Sequence, residues 1–417
     1  MTFYIDPGTG SMLFTILVGV LGALFYIFRN VWVKMKFVLT GGKKTKEDAL
    51  EYPYVIFTDS KRYWTTFKPI CDEMERRGES VLYLTASEDD PMLAERFDHV
   101  KAEYAGAGNK AFARMNMLKA DIVISSTPGL DVYQWKRSRD VKWYVHALHA
   151  ASDVTLYEMF GIDYYDAILL NGEYQIKQVR DLEKLRNLPP KELPLVGLPQ
   201  LDSLRKRCLE AGDIGEHKTT VLLAPSWGRN SIFVKYKGKI IEKLLETGFQ
   251  LIIRVHPQSF TSEKELIESL ILQYPESGQL HWDRNVDNFE SQLKSDILIS
   301  DFSGIIFDYT MAFDKPMIYA DTSFDNGAND SWWLGGQEWT FTILDRIGLQ
   351  LTPENLENVK ELIIQCLHDE RLKAGRDQAR AEAWINIGNA AVSIADYLVK
   401  KRMELHSDTE KEEESGK

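Results

Sequence analysis

At 417 residues, with a formal net charge of −12 and a pI near 5.3, the chain is too long for one ordinary core and carries no overall positive field for a nucleic-acid partner. It suits two domains of about 150 to 200 residues each. The three cysteines, Cys71, Cys208 and Cys366, stand far apart with no metal or redox spacing, which fits a reducing compartment and assigns them no function.

From Gly8 to Phe28 no residue is charged, and Met12 to Phe28 is almost wholly apolar. This predicts a membrane anchor within residues 1–33, reaching the roughly 20 residues of a span once Val31 to Val33 are included. No basic residue precedes the run and no cleavage pattern follows it, so retention is expected over removal as a signal peptide. Arg29, Lys34, Lys36, Lys43, Lys44 and Lys46 crowd the downstream side against Asp6 alone upstream, which orients the large body to the cytoplasmic face of the cell membrane. The alternative is a helix lying in the interface.

After a basic linker over residues 34–51, short β-rich runs alternate with helical stretches. In the first half the runs are Tyr54–Thr58, Ser80–Thr85, Asp121–Ser126, Lys142–Leu148 and Ala167–Asn171. Such alternation predicts parallel strands with crossover helices. A proline-rich loop over Leu188 to Pro199 interrupts it, and the pattern restarts with Thr219–Ala224, Gln250–Val255, Asp296–Ser300 and Pro316–Ala320. The expected fold is therefore α/β, with two Rossmann-like, doubly wound domains facing a cleft. Their spans are 52–200 on the acceptor side and 201–400 on the donor side, followed by a charged, disordered tail at 401–417.

Ligands bind such folds at the carboxyl ends of strands, and four segments lie there. In Ser300-Asp-Phe-Ser-Gly-Ile-Ile-Phe-Asp308 an apolar strand runs through small polar residues into a helix, so free N–H groups near Ser303 and Gly304 form an anion site. Asp301 and Asp308 add carboxylates, which must face away from a phosphate or pair with a cation. In Ile253-Arg-Val-His256-Pro257 two donors, Arg254 and His256, share one strand face and suit a pyrophosphate. Ala224-Pro-Ser-Trp-Gly-Arg229 offers Ser226, Trp227 and Arg229. In the first half, Trp143 to Asp153 contains His146 and His149, either of which could serve as a general base; His149 is favoured because it lies nearer the loop. Each segment alone also has a plain structural explanation: an N-capping serine, a salt-bridged arginine, a capping or buried histidine. The triplet Glu88-Asp89-Asp90 precedes Pro91 as an exposed turn, so no metal or cofactor is indicated.

In this order the segments resemble the CDP-glycerol glycerophosphotransferases of teichoic-acid synthesis, over roughly Lys142 to Asp321, most strongly in Ile299 to Asp308 followed by Lys315-Pro316 and in Arg254-Val-His256-Pro257. The family's His-Gly pair is replaced here by His146-Ala or His149-Ala. The resemblance implies a GT-B-like fold, CDP-glycerol or another CDP-polyol as donor, a lipid-linked acceptor at a membrane, and release of CMP. It further implies that His149 or His146 is the base, that Arg254, His256 and Ser303 contact donor phosphates, and that Asp308 orders the site. A glycosyltransferase of the same architecture and a non-catalytic nucleotide-binding scaffold are the two rival readings.

Overall fold

The computed structural model describes residues 52–415 except 286 and 335–337. The predicted anchor and basic linker lie outside these residues. Among the described residues no helix is long and apolar enough to cross a membrane.

Two parallel six-stranded sheets form the body. The first holds β1 (Tyr52–Thr58), β2 (Val81–Thr85), β3 (Val100–Tyr104), β4 (Ala120–Ser125), β5 (Val141–Ala147) and β6 (Ala167–Leu169), in the order β3-β2-β1-β4-β5-β6. The second holds β7 (Thr220–Leu223), β8 (Gln250–Ile253), β9 (Leu280–Trp282), β10 (Ile297–Ser300), β11 (Met317–Ala320) and β12 (Gly348–Leu351), in the order β12-β11-β10-β7-β8-β9. Counted from its own first strand, each sheet is wound in the same way, with its first and fourth strands adjacent. The winding reverses between β1 and β4 and again between β7 and β10, and that reversal opens a crevice at the carboxyl ends. The central strands are buried on both faces, as parallel sheets flanked by helices require: β2, β4, β7 and β10 have no exposed residue.

All nine expected strands are present, and β3, β9 and β12 are additions. All three are edge strands. The boundary expected at residue 200 falls inside the connecting helix Pro199–Ala211. The expected tail from residue 401 is instead the continuation of a helix, Ala390–Ser415. Its Ile394, Ala395 and Leu398 are buried in the core of the first sheet, beside Tyr54, Ile70 and Ile122. Arg402 Nε and His406 Nε2 reach Asp121 at 2.8 and 2.9 Å, and Lys142 Nζ reaches it at 2.6 Å. Composition alone reads this stretch as solvated because its charges outnumber its apolar groups; two of its basic groups, Arg402 and His406, in fact pair with a carboxylate at the start of β4.

The two halves are held together. One hydrophobic cluster includes Leu148, Val154 and Ile162 of the first half with Leu222, Ala224 and Phe307 of the second. Asp153 accepts from the backbone N–H of Trp339 at 2.9 Å and of Thr340 at 2.7 Å, and Arg186 lies between Asp163 (2.5 Å) and Asp330. Both chain crossings meet at Asp202, whose carboxylate accepts from Trp384 Nε1 and from the N–H groups of Gly388 and Ala390 at 2.8 to 2.9 Å.

Candidate functional site

The second sheet supplies three loops at its strand ends. Ser300 Oγ donates to the Ala224 carbonyl at 2.7 Å, tying the end of β10 to the end of β7. Asp301 then accepts from the N–H groups of Ser226 (2.9 Å), Ile232 (3.1 Å) and Phe302 (2.8 Å). Burial pushes the Asp301 carboxyl above its usual range, and these amide bonds pull it back. Its oxygens brace the two loops through these backbone N–H groups. The brace leaves the next turn open. Ser303, Gly304 and Ile305 have N–H groups with no acceptor among the described residues, and the helical run Ile305–Ala312 begins directly behind them. A Cβ on Gly304 would meet nothing within 4 Å, so its backbone is open to close approach. This is the geometry of an anion cradle.

Asp308 follows in that run at the start of a π-helical turn, Asp308–Ala312, a local widening that recurs at functional sites. Among the described residues its carboxyl has no hydrogen bond or ion pair, and burial alone lifts its pKa to about 7. A carboxyl with that pKa carries a proton in part of the population at neutral pH, and can donate to a ligand oxygen or accept from a hydroxyl. The shift has a stability consequence. Because the folded pKa lies above the unfolded value, the native state loses stability as pH rises from about 4 to about 7, by an upper bound on the order of 4 kcal/mol. Asp308→Asn should therefore raise the melting temperature at pH 8 and leave it nearly unchanged at pH 4; an equal shift at both pH values would exclude a lone carboxyl here.

Arg254 and His256 leave β8 together. Arg254 Nη1 bonds Asp283 at 2.5 Å, so this guanidinium is engaged by a carboxylate, as the salt-bridge reading expects. His256 combines both readings. Its Nδ1 accepts from the Gln258 N–H at 3.1 Å, which makes it the cap of the next turn and places the neutral ring's proton on Nε2. Nε2–H is then a donor for a ligand. Burial lowers the His256 pKa, Glu263 pulls the other way, and the Arg62 charge adds to the lowering. Trp227 is about half exposed, and its ring centroid lies 6.3 Å from that of His256 at 33°. Arg229 is turned away from this group and ion-pairs with Asp325. Lys315 donates to the carbonyls of Gln292, Leu293 and Ser295 at 2.6 to 3.0 Å, closing the end of the helix Phe289–Lys294.

The first half separates its two histidines. His146 is fully buried on β5, and its ring meets Tyr157 and Tyr165 at 5.0 and 4.9 Å, with neither nitrogen hydrogen-bonded among the described residues. Burial and the neighbouring His149 depress its pKa to about 3, so it is a neutral core residue with no path to a substrate. His149 lies just beyond the strand and is partly exposed. Its Nδ1 is 3.3 Å from Tyr157 Oη, and its ring meets Tyr63 edge-on at 4.9 Å. Burial and the Arg62 charge hold its pKa near 4, so it is unprotonated at neutral pH. With Nδ1–H donating to Tyr157, Nε2 is free to take a proton.

Arg62 is absent from the sequence reading. It sits on the loop after β1, at the first sheet's reversal point, donates to Tyr63 Oη at 2.6 Å, and has no carboxylate partner among the described residues. Its charge bears on both His149 and His256, which brings the two halves' histidines into one electrostatic environment. The signal that could have found it is the same small-polar run after an apolar strand, Thr58-Asp-Ser-Lys-Arg62.

Residues 169–326 match the family model described as CDP-Glycerol:Poly(glycerophosphate) glycerophosphotransferase. That stretch, less than half of the chain, is similar to the glycerophosphotransferases. It contains the Arg254–His256 strand end and the Ser303 turn, and the family's chemistry is phosphotransfer. No curated protein matches the chain by sequence. Among solved structures, the wall teichoic acid polymerase TagF is similar at a TM-score of 0.59 and 14% identity, over 93% of this chain and 98% of that one. The UDP-GlcNAc 2-epimerases of Methanocaldococcus jannaschii (TM-score 0.53, 12% identity) and Neisseria meningitidis (0.54, 14%) each align over 84% of this chain and 100% of theirs. These likenesses establish a GT-B-like fold, an architecture that hosts several chemistries.

Proposed function

We propose that the protein transfers a polyol phosphate, glycerol phosphate in the first instance, from a CDP-activated donor to a hydroxyl of a lipid-linked or cell-wall-polymer acceptor. The observation that carries this reading is the family match over the very loops that converge at the β7–β10 crevice. A solved TagF structure bearing the substitution H444N was soaked with CDPG, which supports a CDP-linked donor for this chain as well.

The donor's pyrophosphate lies on the N–H groups of Ser303 to Ile305 and on His256 Nε2–H. His149 Nε2 removes the acceptor hydroxyl's proton, and the resulting oxygen attacks the phosphorus that bears the polyol. A new P–O bond forms as the P–O bond to CMP breaks, and CMP leaves carrying the bonding electron pair. The amide groups and His256 stabilise charge on the phosphoryl oxygens and leaving group, where phosphoryl transfer gains most of its rate. The apolar amino-terminal run anchors the enzyme and its basic flank holds the body on the cytoplasmic side, next to a lipid-linked acceptor.

The deciding experiment incubates membranes containing the protein with labelled CDP-glycerol, CDP-ribitol, UDP-GlcNAc and a GDP-sugar. Label in lipid with CMP release is expected. Release of UDP or GDP would replace the reading with glycosyl transfer, and donor binding without transfer would favour a scaffold.

A further inference from the structure

Beside the phosphate turn, at the carboxyl ends of β10, β11 and β12, lies a cavity of about 290 Å³ that the transfer chemistry above leaves unused. Asp301, Tyr319 and Ser323 line it together with four further polar side chains: Thr322, Asn326, Glu338 and Gln350. None of the four has a side-chain hydrogen-bond partner among the described residues, and Thr322 Oγ1 is buried without one. Three rings form its apolar side, with Phe302 to Phe324 at 5.6 Å and Phe324 to Phe341 at 5.7 Å. Unused hydroxyl, amide and carboxylate groups facing aromatic rings suit a ligand with many hydroxyls and some C–H surface.

Size and position narrow the ligand. At about 290 Å³ the cavity sits at the small end of the range for small-molecule sites, a size that suits one end of the donor. Phe302 is adjacent to Ser303, so whatever fills the cavity is continuous with the anion cradle. Glu338 and Phe341 flank Trp339 and Thr340, whose N–H groups are held by Asp153, four residues beyond the candidate base His149. The cavity is therefore on the side of the cradle where the first half delivers its base loop. The phosphorus under attack must be the one nearest that base, and in the proposed reaction that phosphorus carries the polyol. The opposite side, with Trp227 beside His256, is left for the nucleoside.

We propose that this cavity is the polyol subsite. It receives the hydroxylated chain of the donor, with Glu338 and Gln350 accepting from hydroxyls, Asn326 donating to them, and the three rings packing against the carbons. The inference rests on the CDP-polyol reading of the preceding subsection.

The test compares full-length wild type with Glu338→Gln, Asn326→Ala and Thr322→Val in membranes, reading the KM for CDP-glycerol, inhibition by CDP, and the melting temperature. The KM should rise about tenfold in the first two variants and several-fold in the third, because hydrogen bonds to the polyol are lost. CDP inhibition and melting temperature should stay at wild-type values, since CDP carries no polyol. A parallel loss of CDP inhibition would place the nucleotide in the cavity and overturn the inference, as would an unchanged KM in all three variants. If the wild type releases no CMP from CDP-glycerol, the underlying reading fails first and takes this one with it.

Discussion

His256→Ala is expected to lower turnover by roughly 10²- to 10³-fold, the usual effect of removing one preorganised donor to developing charge. The fold should tolerate the change. His256 is partly exposed, and among the described residues its side chain's only hydrogen bond is the Nδ1 cap on Gln258, a contribution of about 1 kcal/mol. His256→Asn separates the two roles, because an amide oxygen can keep the cap while the Nε2–H is lost. If His256→Asn melts like the wild type and is as slow as His256→Ala, the donor role stands. Near-normal turnover in either variant would remove His256 from the chemistry.

His149→Ala should cost roughly 10²- to 10⁴-fold in turnover, the range for loss of a positioned general base, with little change in CDP inhibition. Its pKa makes the claim sharper. A base works when unprotonated, and with its pKa held near 4 by burial and Arg62, His149 is ready at every pH above about 5. The acid limb of the activity profile that belongs to the base therefore lies near 4 and not near the ordinary histidine value of about 6.5. A second titration near pH 7 is expected from Asp308, and it should vanish in Asp308→Asn while the limb near 4 remains. A base limb at 6.5 that survives Asp308→Asn would contradict the environment described for His149. His146 offers the internal comparison: its substitution should act through stability, since its ring is sealed between Tyr157 and Tyr165.

Much of this architecture is legible in the chain because central strands of a parallel sheet are buried on both faces and read as unbroken apolar runs. Ile297-Leu-Ile-Ser300 is such a run. The three strands that escape sequence reading show the converse. β3 is Val-Lys-Ala-Glu-Tyr, β9 is Leu-His-Trp and β12 is Gly-Leu-Gln-Leu, and each lies at a sheet edge where one side is solvated and polar residues are tolerated. Spacing also identified the loops of the site correctly as neighbours, since strand-end position follows from topology. Spacing could not distinguish side chains within a loop. Asp301 and Ser303 are two residues apart, yet one carboxylate faces three backbone amides of its own lobe while the other position opens on the crevice. Likewise Arg229 and Trp227 share a loop, but an acidic partner at Asp325, about a hundred residues away, turns the arginine aside. The burial of His146 depends on Tyr157 and Tyr165, which arrive from a later segment and leave no trace in the strand that carries the histidine.

The helix Ala390–Ser415 imposes an order on the birth of the molecule. The first sheet is the first to leave the ribosome, yet Ile394, Ala395 and Leu398, which cover one of its faces beside Tyr54 and Ile122, are among the last described residues to be made. At synthesis rates of about 5 to 20 residues per second, the roughly two hundred residues between β6 and that helix take about 10 to 40 seconds to appear. During that interval the first half has an uncovered apolar face, while the second half already has its own strands complete. The nascent chain therefore reaches its native state from the second lobe backwards, and ribosome-bound forms stopped before residue 390 should be the ones that recruit chaperones.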